Sequence, residues 1–214
     1  MTTVPDKAGI FDRTELEQVR RELRLHPQHV RELRNAYLKR FASDDVALAS
    51  FPAPDRIDFG SLVLHQRHDS ALDGASKLLF RTSEGLLTES VILRVASGRS
   101  TVCVSSQVGC AAACRFCATG TMGIARALSV PEILGQVVVA GRTLVAEGRR
   151  LRNVVFMGMG EPFHNEANVT EAIAVLLDPT GFNLAPAKLM VSSVGVVDGM
   201  LRLAERFPRV RLAL

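Results

Sequence analysis

The sequence has no tryptophan, one tyrosine, only four lysines, and no cysteine outside positions 103–117. With so few aromatic rings beyond phenylalanine, no platform for stacking bases declares itself. No apolar run approaches the ~20 residues that a membrane helix needs. The N-terminal stretch also lacks the apolar segment and small-residue cleavage site of a secretion signal. The expected location is therefore the cytoplasm, with no membrane partner. Crowding all the cysteines into one short stretch argues against a disulfide framework and for metal or redox chemistry. The scarcity of lysine makes the basic side lopsided, with 22 arginines carrying most of a net charge of +4. Arginine suits phosphate and base recognition because its planar fork donates two parallel hydrogen bonds. The same bias also follows from genomic base composition, so the charge permits nucleic acid as a partner and requires nothing more.

What is present is globular: 214 residues, 47% hydrophobic and 22% charged. That suits one ordinary domain or a core with a small appendage. Residues 1–50 read as a helical accessory region of two short helices. Asp12 and Glu15 stand at capping-box spacing before the first, and Pro27 opens the second. Their basic residues (Arg20, Arg21, Arg24, Arg31, Arg34, Lys39, Arg40) make either an RNA-facing surface or, more simply, a solvated helix face. Residues 60–95 read as a short β region, with turns at 83–85 and 96–98. Residues 96–214 then alternate helix and strand. Ser129 and Glu132 form a capping box with Pro131 in the first turn of PEILGQVVVAGRTLVAEG. Apolar, unalternating strands (NVVFMGMG, KLMVSS, VRLAL) separated by helices predict a parallel sheet covered by helices, an α/β fold. The last strand would leave an apolar edge that needs cover, and the expectation is that these residues are the front part of something longer.

Cys110, Cys114 and Cys117 stand at CxxxCxxC spacing in a loop after a strand. Three thiolates so placed can hold three irons of a 4Fe–4S cube, leaving the fourth open to a small molecule. Alanines 111–113, with Gly109 and Gly120 outside them, let the backbone wrap closely. Zinc competes, but structural zinc takes four Cys or His ligands. No histidine lies near, and Cys103, one strand earlier, is the only candidate fourth ligand. The cluster is the favoured reading.

CxxxCxxC is the signature loop of the radical S-adenosylmethionine enzymes, and the surrounding wording resembles a narrower group. TVCVSSQVGCAAACRFCATGTMG, RALSVPEILGQVV, VVFMGMGEPFHNEANV and VSSVGVV, preceded by DGASKLLFRTSEGLLTESVILR, are similar to the RNA adenine carbon-2 methyltransferases and their carbon-8 relatives. The resemblance runs from about residue 72 to 214, with five motifs in register. It implies the front part of a partial (β/α) barrel, preceded by the helical region and the short β region. It also implies a 4Fe–4S cluster on Cys110, Cys114 and Cys117, and S-adenosylmethionine as cofactor. Gly160 and Glu161 would bind the methionyl amine, and Ser192 would touch the same cofactor. Glu89 matches the proposed proton acceptor, and as a lone Glu among apolar strand neighbours it is expensive unless paired or functional. Cys103 matches a cysteine that helps resolve a covalent enzyme–RNA intermediate, whereas by itself it reads as a small buried hydrophobe.

The implied reaction methylates an adenine ring carbon, carbon 2 favoured over carbon 8, of rRNA, with tRNA a further candidate. A ring C–H at carbon 2 is neither acidic nor nucleophilic, so the family uses two cofactor molecules. One methylates a cysteine thiolate and the second, reduced at the cluster, activates that methyl group. An electron donor such as flavodoxin or ferredoxin would be a partner. This sequence departs from the pattern in several places. No cysteine follows Cys117, so the methyl-carrying cysteine of the family's C-terminal part is missing and the chain alone is expected to be inactive. Arg126-Ala127-Leu128 and Ser193 are minor variations, and the N-terminal helical region matches poorly. Two other readings stand beside this one: a non-catalytic, cluster-binding remnant, and a radical enzyme with a different, non-RNA substrate, against which MGMGEP and CVSSQVGC argue.

Overall fold

A computed structural model describes residues 6–214, so positions 1–5 of the expected helical region lie outside the described residues. A two-residue strand β1 (Ala8–Gly9) leads into helix α1 (Arg13–Glu22), which starts where the Asp12 carboxylate accepts the N–H groups of Thr14 and Glu15 at 2.8 and 3.1 Å. The reciprocal half of the expected capping box is not made. Glu15 reaches past Asp12 and accepts the Gly9 N–H at 2.8 Å. Helix α2 (Pro27–Arg34) follows, then a single wide turn over 35–39 and helix α3 (Asp44–Leu48). Strand β2 (Ile57–Asp58) returns to pair with β1 in parallel.

The basic residues of these helices are not all a solvated or RNA-facing surface. Arg34 is 2% exposed, with Nη2 3.1 Å from Asp178 and Nη1 donating to Thr180 Oγ1 at 2.9 Å. It lies one helical turn beyond Val30 and next to Leu33, both buried, so the helix period turns it inward. A charge taken there requires a partner. Lys39 makes a second tie, donating to the Pro179 carbonyl at 2.7 Å. Together they join the N-terminal helices to the segment after helix α5 (Glu166–Leu177).

The short β region expected over 60–95 holds β3 (Val63–Asp69), β4 (Ser76–Arg81) and β5 (Leu87–Arg94), and the antiparallel meander they form continues beyond it into β6 (Arg99–Val104). A small antiparallel hairpin, β7 (Gln107–Gly109) and β8 (Ile124–Ala127), brackets the cysteine loop. Helix α4 (Val130–Ala146) leads to β9 (Arg150–Phe156), and α5 leads to β10 (Leu189–Ser192). Helix α6 (Val197–Arg206) then leads to β11 (Arg211–Ala213). One seven-stranded sheet results, in the order β11-β10-β9-β6-β5-β4-β3. Strands β6, β9, β10 and β11 are parallel, as the apolar strand pattern predicts. Among the described residues the sheet does not close on itself.

Alternation assigns the faces. Ser76, Leu78 and Phe80 of β4, Thr88, Ser90 and Ile92 of β5, and Ser100, Val102 and Val104 of β6 are buried. Their neighbours Lys77, Glu89, Val91, Thr101 and Cys103 point to a more open face. Helix α4 packs on β6 and β9 on the covered side, through Ile133, Leu134, Val137 and Val138. At the far edge, β3 is exposed along its whole length. Its His65, Arg67, His68 and Asp69 keep that edge unattractive to another strand.

Candidate active site

The parallel strands end on a compact polar network that ties two loops together. The root of the cysteine loop, 105–107, lies against the turn after β9. Ser106 and Gln107 donate their N–H groups to the Met159 carbonyl at 2.8 and 3.2 Å. Ser105 Oγ accepts the Met159 N–H at 2.8 Å, and Gln107 Oε1 accepts the Glu161 N–H at 2.9 Å. Asn165 Nδ2 donates to the carbonyls of Ser106 and Leu128, and Gln136 Nε2 donates to that of Ser105. Gly160 is required here. Its φ is +99°, and a Cβ would sit 2.6 Å from Gln107 Cβ. No side chain fits between strands that close.

Glu161 is not the surface carboxylate that a loop position beside proline suggests, for it is 3% exposed. One oxygen accepts the Phe163 N–H at 3.1 Å and the other the Val194 N–H at 2.9 Å. The carboxylate therefore links the turn after β9 to the turn after β10, and each oxygen keeps a further lone pair. In that second turn Ser193 is buried and accepts from Gly195 and Val196. Ser192 is half-buried, at the same end of the sheet because Val191 is in register with Phe156.

The cysteine loop leaves this network at Gly109, whose φ of +80° and close approach to the Gly123 carbonyl leave no room for a Cβ. The Cys110 N–H donates to that carbonyl at 2.7 Å, and the Cys117 N–H donates to the Cys114 carbonyl at 3.0 Å. Cys110 is buried, while Cys114 and Cys117 are half-buried. The return leg is anchored by Arg126. It pairs with Glu132 through two bonds of 2.9 and 2.7 Å and with Glu84 at 2.7 Å. Burial pulls the Glu132 carboxyl up, but Arg126 and Ser129 outweigh it and hold the group below the usual range. Three thiols and no carboxylate on one hairpin loop form a soft donor set of the kind that iron–sulfur clusters take. The donors fit in kind, although among the described residues no group of three or more His, Cys, Asp or Glu side chains is gathered as a bound metal would require.

On the open face, Glu89 and Cys103 are neighbours across β5 and β6, where Val91 is the register partner of Cys103. Glu89 is paired, 3.0 Å from Lys77 Nζ. Burial pushes the Cys103 thiol up to about 11; the Glu89 charge adds to the shift and a backbone hydrogen bond at Met157 opposes it. Cys103 is thus a thiol at neutral pH. It is half-buried, not the fully buried hydrophobe that its strand suggests.

Lys77, Gln107, Arg126 and Asn165 belong to this arrangement and were not singled out as site residues in the sequence. Only Lys77 left a signal there, as one of two cations, with Arg81, on the strand paired with that of Glu89.

No family model matches the chain. A probable RNA methyltransferase of Rhodopirellula baltica is 58% identical over 214 residues, which is all of this chain and 56% of that protein. The dual-specificity RNA methyltransferase RlmN 1 of Myxococcus xanthus is 45% identical over 155 residues, covering 72% of this chain and 43% of that one. The crystal structure of a radical SAM methyltransferase from Sphaerobacter thermophilus superposes with a TM-score of 0.86 at 34% identity, over 98% of this chain and 62% of that one. The chain spans about half the length of the curated relatives it matches. Along nearly its whole length the chain is thus similar to RNA methyltransferases in sequence and to a radical SAM methyltransferase in fold.

Proposed function

We propose that these residues form the cluster- and cofactor-holding part of a methyltransferase acting on an adenine ring carbon of RNA. Carbon 2 of rRNA is the favoured target, tRNA a further one, and a flavodoxin or ferredoxin the electron donor in the cytoplasm. The observation that carries the proposal is the hydrogen-bonded junction of the Gln107 strand, the 159–161 turn and the Val194 turn. It brings the root of the cysteine loop, Glu161 and the neighbourhood of Ser192 to one end of the parallel strands, where open α/β sheets receive ligands.

In this reading Cys110, Cys114 and Cys117 hold a 4Fe–4S cluster that, when bound, supplies the electron for reductive cleavage of S-adenosylmethionine. Gly160 lets the backbone approach the cofactor's amino acid part. Glu161 accepts its ammonium on the lone pairs left after Phe163 and Val194, and Ser192 offers a hydroxyl beside it. Glu89 takes the ring proton, and Lys77 holds that carboxylate in place. Cys103 stays a thiol until a base removes its proton. No cysteine follows Cys117. A methyl-carrying cysteine of the kind the family uses is therefore not supplied by these residues, and the isolated 214 residues are expected not to methylate RNA.

The test is anaerobic reconstitution followed by iron and sulfide analysis and electron paramagnetic resonance of the dithionite-reduced protein. Four irons per chain with a signal that changes on adding S-adenosylmethionine is the expected result. Substituting serine for any one of the three cysteines should abolish it. A cluster indifferent to the cofactor would favour a non-catalytic remnant.

A further inference from the structure

The opposite end of the parallel strands carries an unneutralised cationic rim. Arg99, the first residue of β6, is the register partner of Arg150, the first residue of β9, in adjacent parallel strands. Like charges on neighbouring strand positions repel and destabilise a sheet unless something relieves them. Arg149 and Arg152 flank Arg150 in sequence, and Lys188, Arg209 and Arg211 lie at the starts of β10 and β11. All but the half-buried Arg149 are exposed. None of these seven cations makes an ion pair among the described residues, and Nη1 of Arg149 is shielded with no hydrogen-bond partner. The only acid between positions 133 and 160 is Glu147. It is already held by Arg94 through two bonds of 2.7 Å and by Arg67 at 3.2 Å. Among the described residues the Arg99 side chain finds only the Ser97 hydroxyl, at 3.0 Å.

We infer that this rim, centred on Arg99, Arg150 and Arg152, is a docking surface for the phosphodiester backbone of a structured RNA. The inference rests on the RNA reading above and adds where the substrate's backbone is held. Guanidinium forks fit phosphate oxygens, and a polyanion relieves the repulsion that the chain itself leaves standing. The rim lies about 20 Å from the cysteine loop, the length of a six-residue strand at roughly 3.3 Å per residue. A stem-loop offers that breadth ready-made, whereas a single strand must first be ordered to reach both, so the stem-loop is held more tightly.

The test measures binding of the full 214-residue chain to a stem-loop RNA bearing an unpaired adenosine, by fluorescence anisotropy over a salt series. The same composition as an unstructured single strand serves as the second probe. A rim triple variant, R99Q/R150Q/R152Q, is compared with a charge-matched triple in the N-terminal helical region, R21Q/R31Q/R40Q. The rim triple is expected to weaken stem-loop binding by about tenfold or more and to lower the salt slope by about two to three. The helix triple should change affinity less than about twofold, and the single strand should be held more weakly by the parent chain. Equal losses in the two triples, a larger loss in the helix triple, or rim loss that affects anionic phosphatidylglycerol vesicles and leaves RNA unchanged would overturn the surface while leaving RNA as substrate. Failure of the parent chain to bind either RNA would overturn the surface and count against the RNA reading as well. Circular dichroism of each variant separates misfolding from lost contact, and R150K, which keeps the charge, should retain most of the affinity.

Discussion

The two ends of the parallel strands meet opposite demands on the same scaffold. Where β6, β9 and β10 finish, Ser105, Gln107, Glu161 and Asn165 are buried and each is answered by a partner inside the chain. Where β6 and β9 begin, Arg99 and Arg150 face one another in the open with no acid between them. A buried polar group without a partner costs more than an exposed one, so the closed end has to be solved within the fold. The exposed end tolerates unanswered charge because water screens it. The closed end is held by bonds made within the chain, and the open end keeps charge that the chain itself does not use.

Substitutions that break this contrast should differ in sign as well as size. Gly160→Ala should be the most damaging, costing about 2–4 kcal/mol in urea unfolding, because the new methyl meets Gln107 in a left-handed backbone conformation. Glu161→Ala strands the Phe163 and Val194 N–H groups and should cost about 2–3 kcal/mol, with Glu161→Gln losing less because one acceptor remains. Cys103 sharpens the comparison through pH. Its folded thiol titrates near 11 against an ordinary 9.0. The raised value favours the folded state fully below pH 9, and that contribution is lost as pH rises toward 11. Cys103→Ala should flatten this alkaline fall, and the rate of Cys103 alkylation by iodoacetamide should climb until about pH 11. At the open end Arg150→Thr should do the reverse of the first two and raise stability by a few tenths of a kcal/mol at low salt, with the gain gone in high salt.

Helix α5 fills the stretch between β9 and β10 where the alternation of apolar strands calls for a helix. Strand β9, by contrast, begins at Arg150 rather than Asn153, because its start is set by Arg99 across the sheet, which no local pattern reveals. The β7–β8 hairpin was invisible for the same reason, since three residues ending in glycine carry no period. Arg34 reads as one more surface charge until Asp178, 144 positions away, is brought beside it. In the candidate site, the spacing of Cys110, Cys114 and Cys117 is visible in the sequence itself, whereas Glu161 is picked out only by the likeness of its Gly-Glu-Pro to the family. Gln107 and Asn165 were not legible, because a buried amide and an exposed one look alike in sequence. Glu89 stood out by its cost among apolar neighbours, and the structure supplies the partner, Lys77, that this cost required.

Strand β6 closes the meander on one side and opens the parallel half on the other, which has a kinetic consequence during synthesis. Residues 63–104 contain everything the antiparallel half needs, and such local pairing forms quickly. The second edge of β6 waits for β9, whose first residue lies 46 positions downstream of Val104. At about 5–20 residues per second that wait is roughly 2–9 s, during which Val102 and Val104 sit on an unpaired edge beside a cysteine loop that has not yet found its place. The newborn chain is most vulnerable to aggregation and to thiol oxidation in that interval.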